Sequence, residues 1–194
     1  MISNGLNHDL FSFPSSKLSA VRSLYKLPEN YFIFVSTQAP HKNLMKPMQA
    51  WSLIAKKHPD WHLVLVGKES HHWPFRNVRQ LGWVPEDDLP ALYQEAQGLI
   101  YPSTYEGFGL PPLEAMAMRC PTIVSSVASL PEVCGEASLY VDPVSEDDIA
   151  QKICLLIEKP LIRQTLIEKG RQRVEQFNWE KSAQSHIELI HRML

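Results

Sequence analysis

The 194-residue sequence predicts an α/β protein in which a parallel six-stranded sheet is covered by helices on both faces and followed by C-terminal helices. Three observations carry this. Short runs of aromatic and β-branched residues lack polar alternation, as expected of strands buried on both faces. These runs take turns with helical stretches, the pattern of a parallel sheet with crossover helices. From Glu146 onward the chain is charged and helical, with no further strand pattern.

Taken in order, Met1 to Gly5 reads like the end of a strand and a turn with nothing to pair with, which suggests a piece of a longer protein. Residues 1–28, with Pro14 and Pro28, are expected to be a surface connection carrying a short helix over Ser16–Tyr25. Residues 29–176 are expected to form the main domain. Tyr31–Val35 is its first strand, and Ser36 to Asn43 a loop at that strand's C-terminal end. Asn43 is expected to cap a helix over Leu44–Lys57 that Pro59 closes. His62–Val66 is the second strand, ending at Gly67-Lys68, and Val78–Leu81 the third, ending at Gly82-Trp83-Val84. A helix from Pro85 to about Gln97 carries Leu89, Leu92 and Tyr93 on one side. Strands at Gly98–Tyr101, Pro121–Ser125 and Ser138–Val141 follow, and Pro160 and Asn178-Trp179 divide the tail into three helices. Residues 177–194 are assigned to the last of these.

Composition narrows the partners. A net charge of −2 and a pI near 6.4 give no overall pull toward nucleic acid or anionic lipid. No apolar run approaches the ~20 residues that span a bilayer, and no signal-peptide pattern opens the chain. Cys120, Cys134 and Cys154 form no Cys-x-x-Cys and leave an odd thiol, which fits a reducing, cytoplasmic setting.

The stretch Tyr101–Ala117 concentrates the chemistry. Glu106 and Glu114 cannot share one regular helix, because Gly107, Gly109, Pro111 and Pro112 lie between them. One carboxylate therefore sits on a loop and the other in the first turns of a helix that starts at the prolines. A glycine-rich loop running into a helix N-terminus suits an anion. Two flanking carboxylates suit hydroxyls, and a ligand with hydroxyls on either side of phosphate is a nucleotide sugar. Spacing alone leaves a second reading open, in which Glu114 merely complements the helix dipole and Glu106 is solvated.

These residues resemble a known family. Glu106-Gly107-Phe108-Gly109-Leu110-Pro111-Pro112-Leu113-Glu114 is similar to the two-glutamate motif of retaining family 4 glycosyltransferases of the GT-B fold, in their C-terminal, donor-binding domain. Pro40-His41-Lys42-Asn43-Leu44, Leu65-Val66-Gly67-Lys68, Leu81-Gly82-Trp83-Val84-Pro85, Ser129-Leu130-Pro131-Glu132-Val133 and Phe177-Asn178-Trp179-Glu180 extend the match over nearly the whole chain. The resemblance implies a Rossmann-like domain, one half of a GT-B fold. It implies that Glu106 contacts the transferred sugar, that Glu114 binds ribose hydroxyls, and that Lys42 meets the donor diphosphate, making Glu106 and Lys42 the catalytic pair. The backbone of Gly107, Phe108, Gly109 and Leu110 would lie along sugar and diphosphate, with Gly67 and Val84 completing the donor site, Val84 through main chain near the base. As a bare sequence feature Lys42 reads as a solvated lysine. The family commonly has an arginine before that lysine, where this chain has Thr37-Gln38 and His41; His41 is a pH-dependent substitute at best.

The donor expected from this resemblance is a nucleoside diphosphate hexose, GDP-mannose ahead of a UDP-sugar, with a glycan or lipid-linked acceptor and no required metal. An N-terminal Rossmann-like acceptor domain is the implied partner, without which the chain transfers little or no sugar. Membrane contact of a longer protein, for instance at the inner membrane, stays open, and so does a second class of function, a degenerate binding domain without turnover. His71-His72, His186 and His191 lack a recognisable set of co-ligands for zinc, and Asp87-Asp88 and Asp147-Asp148 read as acids that start helices.

Overall fold

Six parallel strands form one sheet in the order β3-β2-β1-β4-β5-β6: β1 (Asn30–Val35), β2 (Trp61–Val66), β3 (Val78–Gly82), β4 (Gly98–Tyr101), β5 (Thr122–Ser125) and β6 (Ser138–Val141). This computed structural model describes residues 4–35, 39–67 and 75–193. The helices are α1 (Leu18–Leu24), α2 (Met45–Lys57), α3 (Leu89–Glu95), α4 (Leu110–Ala117), α5 (Leu130–Cys134), α6 (Glu146–Glu158), α7 (Pro160–Val174) and α8 (Trp179–Met193). Among the described residues no helix is long and apolar enough to cross a membrane.

The unbroken apolar strands divide their side chains between two cores, as period-two geometry requires. Tyr31, Ile33, Val64 and Leu99 face Val21 of α1, Leu92 of α3, Leu113 of α4 and Leu130 of α5. Phe32, Phe34, Leu63 and Leu65 face Met48, Trp51 and Ile54 of α2 and Ile149, Ile153 and Leu156 of α6. Gly98 pairs with Phe32 across β1 and β4, and a Cβ there would come within 2.8 Å of the Phe32 ring. Any larger residue would push the two central strands apart.

Two expectations change. The N-terminal stretch does more than run over the surface: Leu6, Phe11, Val21 and Leu27 are buried, and the Leu6 amide bonds the Phe177 carbonyl. Asn43 does not cap α2. Its backbone is left-handed (φ 57°), and its side-chain amide donates to the carbonyls of Pro102 at 3.0 Å and Pro143 at 2.6 Å. Asp87 and Asp88 lie in a 3₁₀ turn (Glu86–Asp88) that leads straight into α3, so they start that helix as the sequence suggests, although neither side chain makes a capping hydrogen bond; Lys17 pairs with both, and the Tyr25 hydroxyl donates to Asp88 at 2.9 Å. They tie down the N-terminal segment. The short α5, which the sequence does not predict, has too few residues to show a period. By contrast Ser145 caps α6 by accepting from the Asp148 amide, and Asn178 accepts from the Glu180 amide where α8 begins.

Candidate functional site

The strand order reverses between β1 and β4, and the loops leaving their C-terminal ends part there, where open α/β sheets form their ligand crevice. Cross-links hold the two loops together. The Thr104 amide donates to the His41 carbonyl at 2.8 Å, and Asn43 reaches Pro102. Lys42, from the first loop, donates from Nζ to Glu106 Oε1 and to the Tyr101 hydroxyl, both at 2.7 Å, with Nζ 5.0 Å from the centre of the Tyr101 ring. The side chains are 17% exposed for Lys42 and 9% for Glu106, so neither is the solvated surface charge that spacing alone allowed. Burial by itself would raise the Glu106 pKa, but the Lys42 hydrogen bond and neighbouring hydroxyls outweigh it and hold the carboxyl below its ordinary value. Burial, and then Glu106, push the Tyr101 phenol upward, so it stays protonated and able to donate.

Beyond Glu106 the chain is shaped by one hydroxyl. Ser129 Oγ lies 3.0 Å from the Glu106 carbonyl and 2.8 Å from that of Phe108. With these carbonyls turned toward Ser129, the amides are left for something else: among the described residues none of those of Gly107, Phe108, Gly109 and Leu110 donates a hydrogen bond. Phe108 anchors the loop edge-on against Phe177, ring centres 5.7 Å apart. The two glycines have different reasons. Gly109 adopts φ 105° at the start of α4, and a Cβ on it would strike Leu130 at 2.6 Å. A Cβ on Gly107 would meet nothing within 4 Å among the described residues. Pro111 and Pro112 remove two N–H groups from the first turn of α4, so the donors for an anion belong mainly to the loop.

Glu114 is the fifth residue of α4, beyond the reach of a first-turn dipole effect. The buried Tyr93 hydroxyl donates to its Oε2 at 3.2 Å. Burial pushes the Glu114 carboxyl up to about 7; the Tyr93 hydrogen bond opposes this and the charge of Glu86 adds to it. Glu114 thus titrates near neutrality while Glu106 stays ionised, two carboxylates separated by their surroundings. The Val84 side chain is buried, so only its main chain is placed to meet a ligand, whereas the neighbouring Trp83 is 74% exposed. Gly67 gives its amide to the Gly82 carbonyl at 2.8 Å and can offer close backbone approach rather than a donor. Thr37, Gln38, Lys68, His71 and His72, named from the sequence, lie outside the described residues.

The fold therefore joins Lys42 to Glu106 across 64 positions and places Gly107–Leu110 and Glu114 on the same loop-to-helix unit. Sequence reasoning missed Tyr101, Tyr93 and Ser129. Tyr101 could have been suspected as a polar-tipped residue ending a buried strand at the crevice; Ser129 opens one of the stretches that carry the family resemblance, though nothing there marks its hydroxyl, and for Tyr93 no local pattern gives the signal.

A parallel sheet in this order, flanked on both faces, is Rossmann-like. Residues 19–173 match the family of glycosyl transferases group 1, and the chain belongs to that family. O-antigen chain mannosyltransferase B of Escherichia coli is 34% identical over 179 residues, covering 86% of this chain and 47% of that protein. Sucrose-phosphate synthase of Thermosynechococcus elongatus superposes with a TM-score of 0.80 at 27% identity, over 99% of this chain and 52% of the other. The C-terminal domain of a glycosyl transferase group 1 family protein (LpcC) from Francisella tularensis, at 24% identity, shares the fold with a TM-score of 0.74, over 89% of this chain and 97% of that domain. The chain spans about half the length of the E. coli relative.

Proposed function

We propose that this chain binds the nucleoside diphosphate sugar of a retaining hexosyltransferase, and that the hexose is mannose carried on GDP. The observation that carries the reading is the row of uncommitted amides from Gly107 to Leu110, lying between the Lys42–Glu106 pair and Glu114. Those amides face the diphosphate, and Lys42 adds the cation. Lys42 has a third N–H beyond the two it gives to Tyr101 and Glu106, so it can reach a phosphate oxygen without abandoning either partner. As the bond between sugar and diphosphate lengthens, charge builds on the leaving oxygen and these fixed donors stabilise it. Glu106, kept ionised by Lys42, accepts hydroxyls of the sugar. Glu114 accepts ribose hydroxyls, the Val84 main chain borders the base, and Gly67 lets the backbone come close to the ligand.

Charge neutralisation in this scheme belongs to Lys42 and the loop, with no divalent ion assigned to it. The preference for mannose rests on the relatives, O-antigen chain mannosyltransferase B among them. An N-terminal acceptor domain would complete the cleft, and this chain by itself would bind donor and transfer little. The setting proposed is the cytoplasm, in keeping with three unpaired cysteines.

Calorimetry with GDP-mannose, GDP, UDP and ADP tests the proposal, with Gly107→Ala as the decisive variant. A methyl at residue 107 finds free space in the fold but occupies the path of the donor. Binding lost with thermal stability unchanged supports the reading. Absence of binding to any diphosphate at millimolar concentration, or a variant that binds as well as the parent, sinks it and leaves the fold as a non-catalytic module.

A further inference from the structure

The opposite edge of the sheet carries a second cluster. α2 leads directly into the start of β2, where the Trp61 amide donates to the His58 carbonyl at 3.1 Å, so its C-terminal end lies at the N-terminal edge of the sheet, away from the donor loops. There His58, which ends α2, meets Cys154 and Glu158, one turn apart on the same side of α6. Their ligand atoms all lie within 4.8 Å of one another. His58 Nε2 is 3.9 Å from Glu158 Oε1, is buried, and has no hydrogen-bond partner among the described residues. An imidazole nitrogen shielded from water and left unpaired is costly unless something takes its lone pair or its proton.

We propose that His58 Nε2, Cys154 Sγ and a Glu158 carboxylate oxygen form a zinc site, with water as the fourth ligand, that clips α2 to α6. Zinc bonds of roughly 2.0–2.3 Å meeting at tetrahedral angles set neighbouring donors about 3.4–3.6 Å apart. From separations of no more than 4.8 Å, the three side chains need to close by about 1.4 Å at most, within the reach of rotamer shifts. An imidazole with a thiolate selects zinc over magnesium or calcium, which prefer oxygen. Binding displaces the Cys154 proton to solvent and leaves the imidazole neutral. It also displaces Lys57, whose Nζ sits 2.5 Å from Glu158 Oε1 and whose side chain, 59% exposed, is free to swing into water. The three ligands come from two helices already packed through Ile54, Ile149 and Ile153, so a rigid frame holds them.

Cobalt(II) reports on such a site directly. Added to the chain after chelation and dialysis, it is expected to give tetrahedral visible bands and a thiolate-to-cobalt charge-transfer band saturating at one equivalent, both reversed by zinc and untouched by excess magnesium. Cys154→Ser is expected to abolish the charge-transfer band. His58→Gln and Glu158→Gln should weaken binding by at least about tenfold, since loss of even an outer partner costs that much. Lys57→Ala should strengthen it severalfold by removing the competing ammonium. These are partly exposed positions, and an unchanged melting temperature of the metal-free variants shows that each still folds. No charge-transfer band, a band that survives Cys154→Ser, or weaker binding in Lys57→Ala overturns the proposal.

Discussion

Replacing Glu114 by Gln should make the protein more stable and a poorer binder at the same time. The Glu114 carboxyl ordinarily titrates near 4.5 and is pushed to about 7 in the fold, chiefly by burial. Because the folded-state value is the higher one, the neutral acid fits the fold without penalty below pH 4.5. As pH rises from there through 7, the folded state must give up a proton it holds more tightly than the unfolded chain, and stability falls. At about 1.4 kcal/mol per pH unit, over the interval from 4.5 to about 7, this amounts to an upper bound of about 3.5 kcal/mol. Gln carries no charge and keeps an oxygen for the Tyr93 hydroxyl, so it escapes the penalty. For a chain of this size about 3.5 kcal/mol corresponds to roughly 7–14 °C in melting temperature. Scanning calorimetry at pH 8 should therefore show Glu114→Gln melting above the parent by several degrees, and at pH 4.5 the two should coincide. Nucleotide affinity should move the other way. Charge-assisted hydrogen bonds are about twice as strong as neutral ones, so GDP should bind about tenfold more weakly at pH 8. Parent affinity should climb between pH 6 and 8 while the variant stays flat. A variant no more stable than the parent at pH 8, or a flat pH profile in the parent, would refute the account of Glu114.

Other outcomes follow from the same contacts. Tyr93→Phe removes the donor that opposes the rise at Glu114, so the midpoint of the pH profile for nucleotide binding should move to higher pH. Lys42→Ala strands an ionised Glu106 that is 9% exposed; it should cost about 2 kcal/mol in urea unfolding near neutral pH, less as pH falls below the ordinary carboxyl range, and lower GDP affinity at least tenfold. Glu106→Gln frees the Lys42 ammonium from its anion, so free GDP should bind about fivefold more tightly, roughly 1 kcal/mol by calorimetry, while the added affinity contributed by the sugar disappears. Gly109→Ala combines φ 105° with a 2.6 Å approach to Leu130 and should lose about 1–3 kcal/mol on thermal unfolding, where Gly107→Ala stays within about 0.5 kcal/mol of the parent.

How much of this was legible in the sequence depends on distance along the chain. The runs Tyr31–Phe34 and Leu63–Val66 announce strands covered on both faces, and alternation with helices implies parallel pairing, both local signals that the sheet bears out. Gly107, Gly109 and the two prolines foretell a loop entering a helix, because each limits the backbone by its own chemistry. Contacts between distant residues are another matter. Nothing near Asn43 reveals that its amide is taken by Pro102 and Pro143, and nothing near Asp88 reveals Tyr25. The Lys42–Glu106 pair, the burial that moves Glu114 toward neutrality and the meeting of His58 with Cys154 all arise from packing order. Sequence supplies the residues but not the neighbours that retune them.

Asn43 has a consequence for how the crevice can respond to what enters it. Both hydrogens of one amide are engaged, one by the stretch after β4 and the other by the stretch after β6, while its own backbone turns the stretch after β1. Three walls of the mouth thus share a single keystone. Losing that one side chain would take a hydrogen-bond partner from carbonyls on two different loops at once.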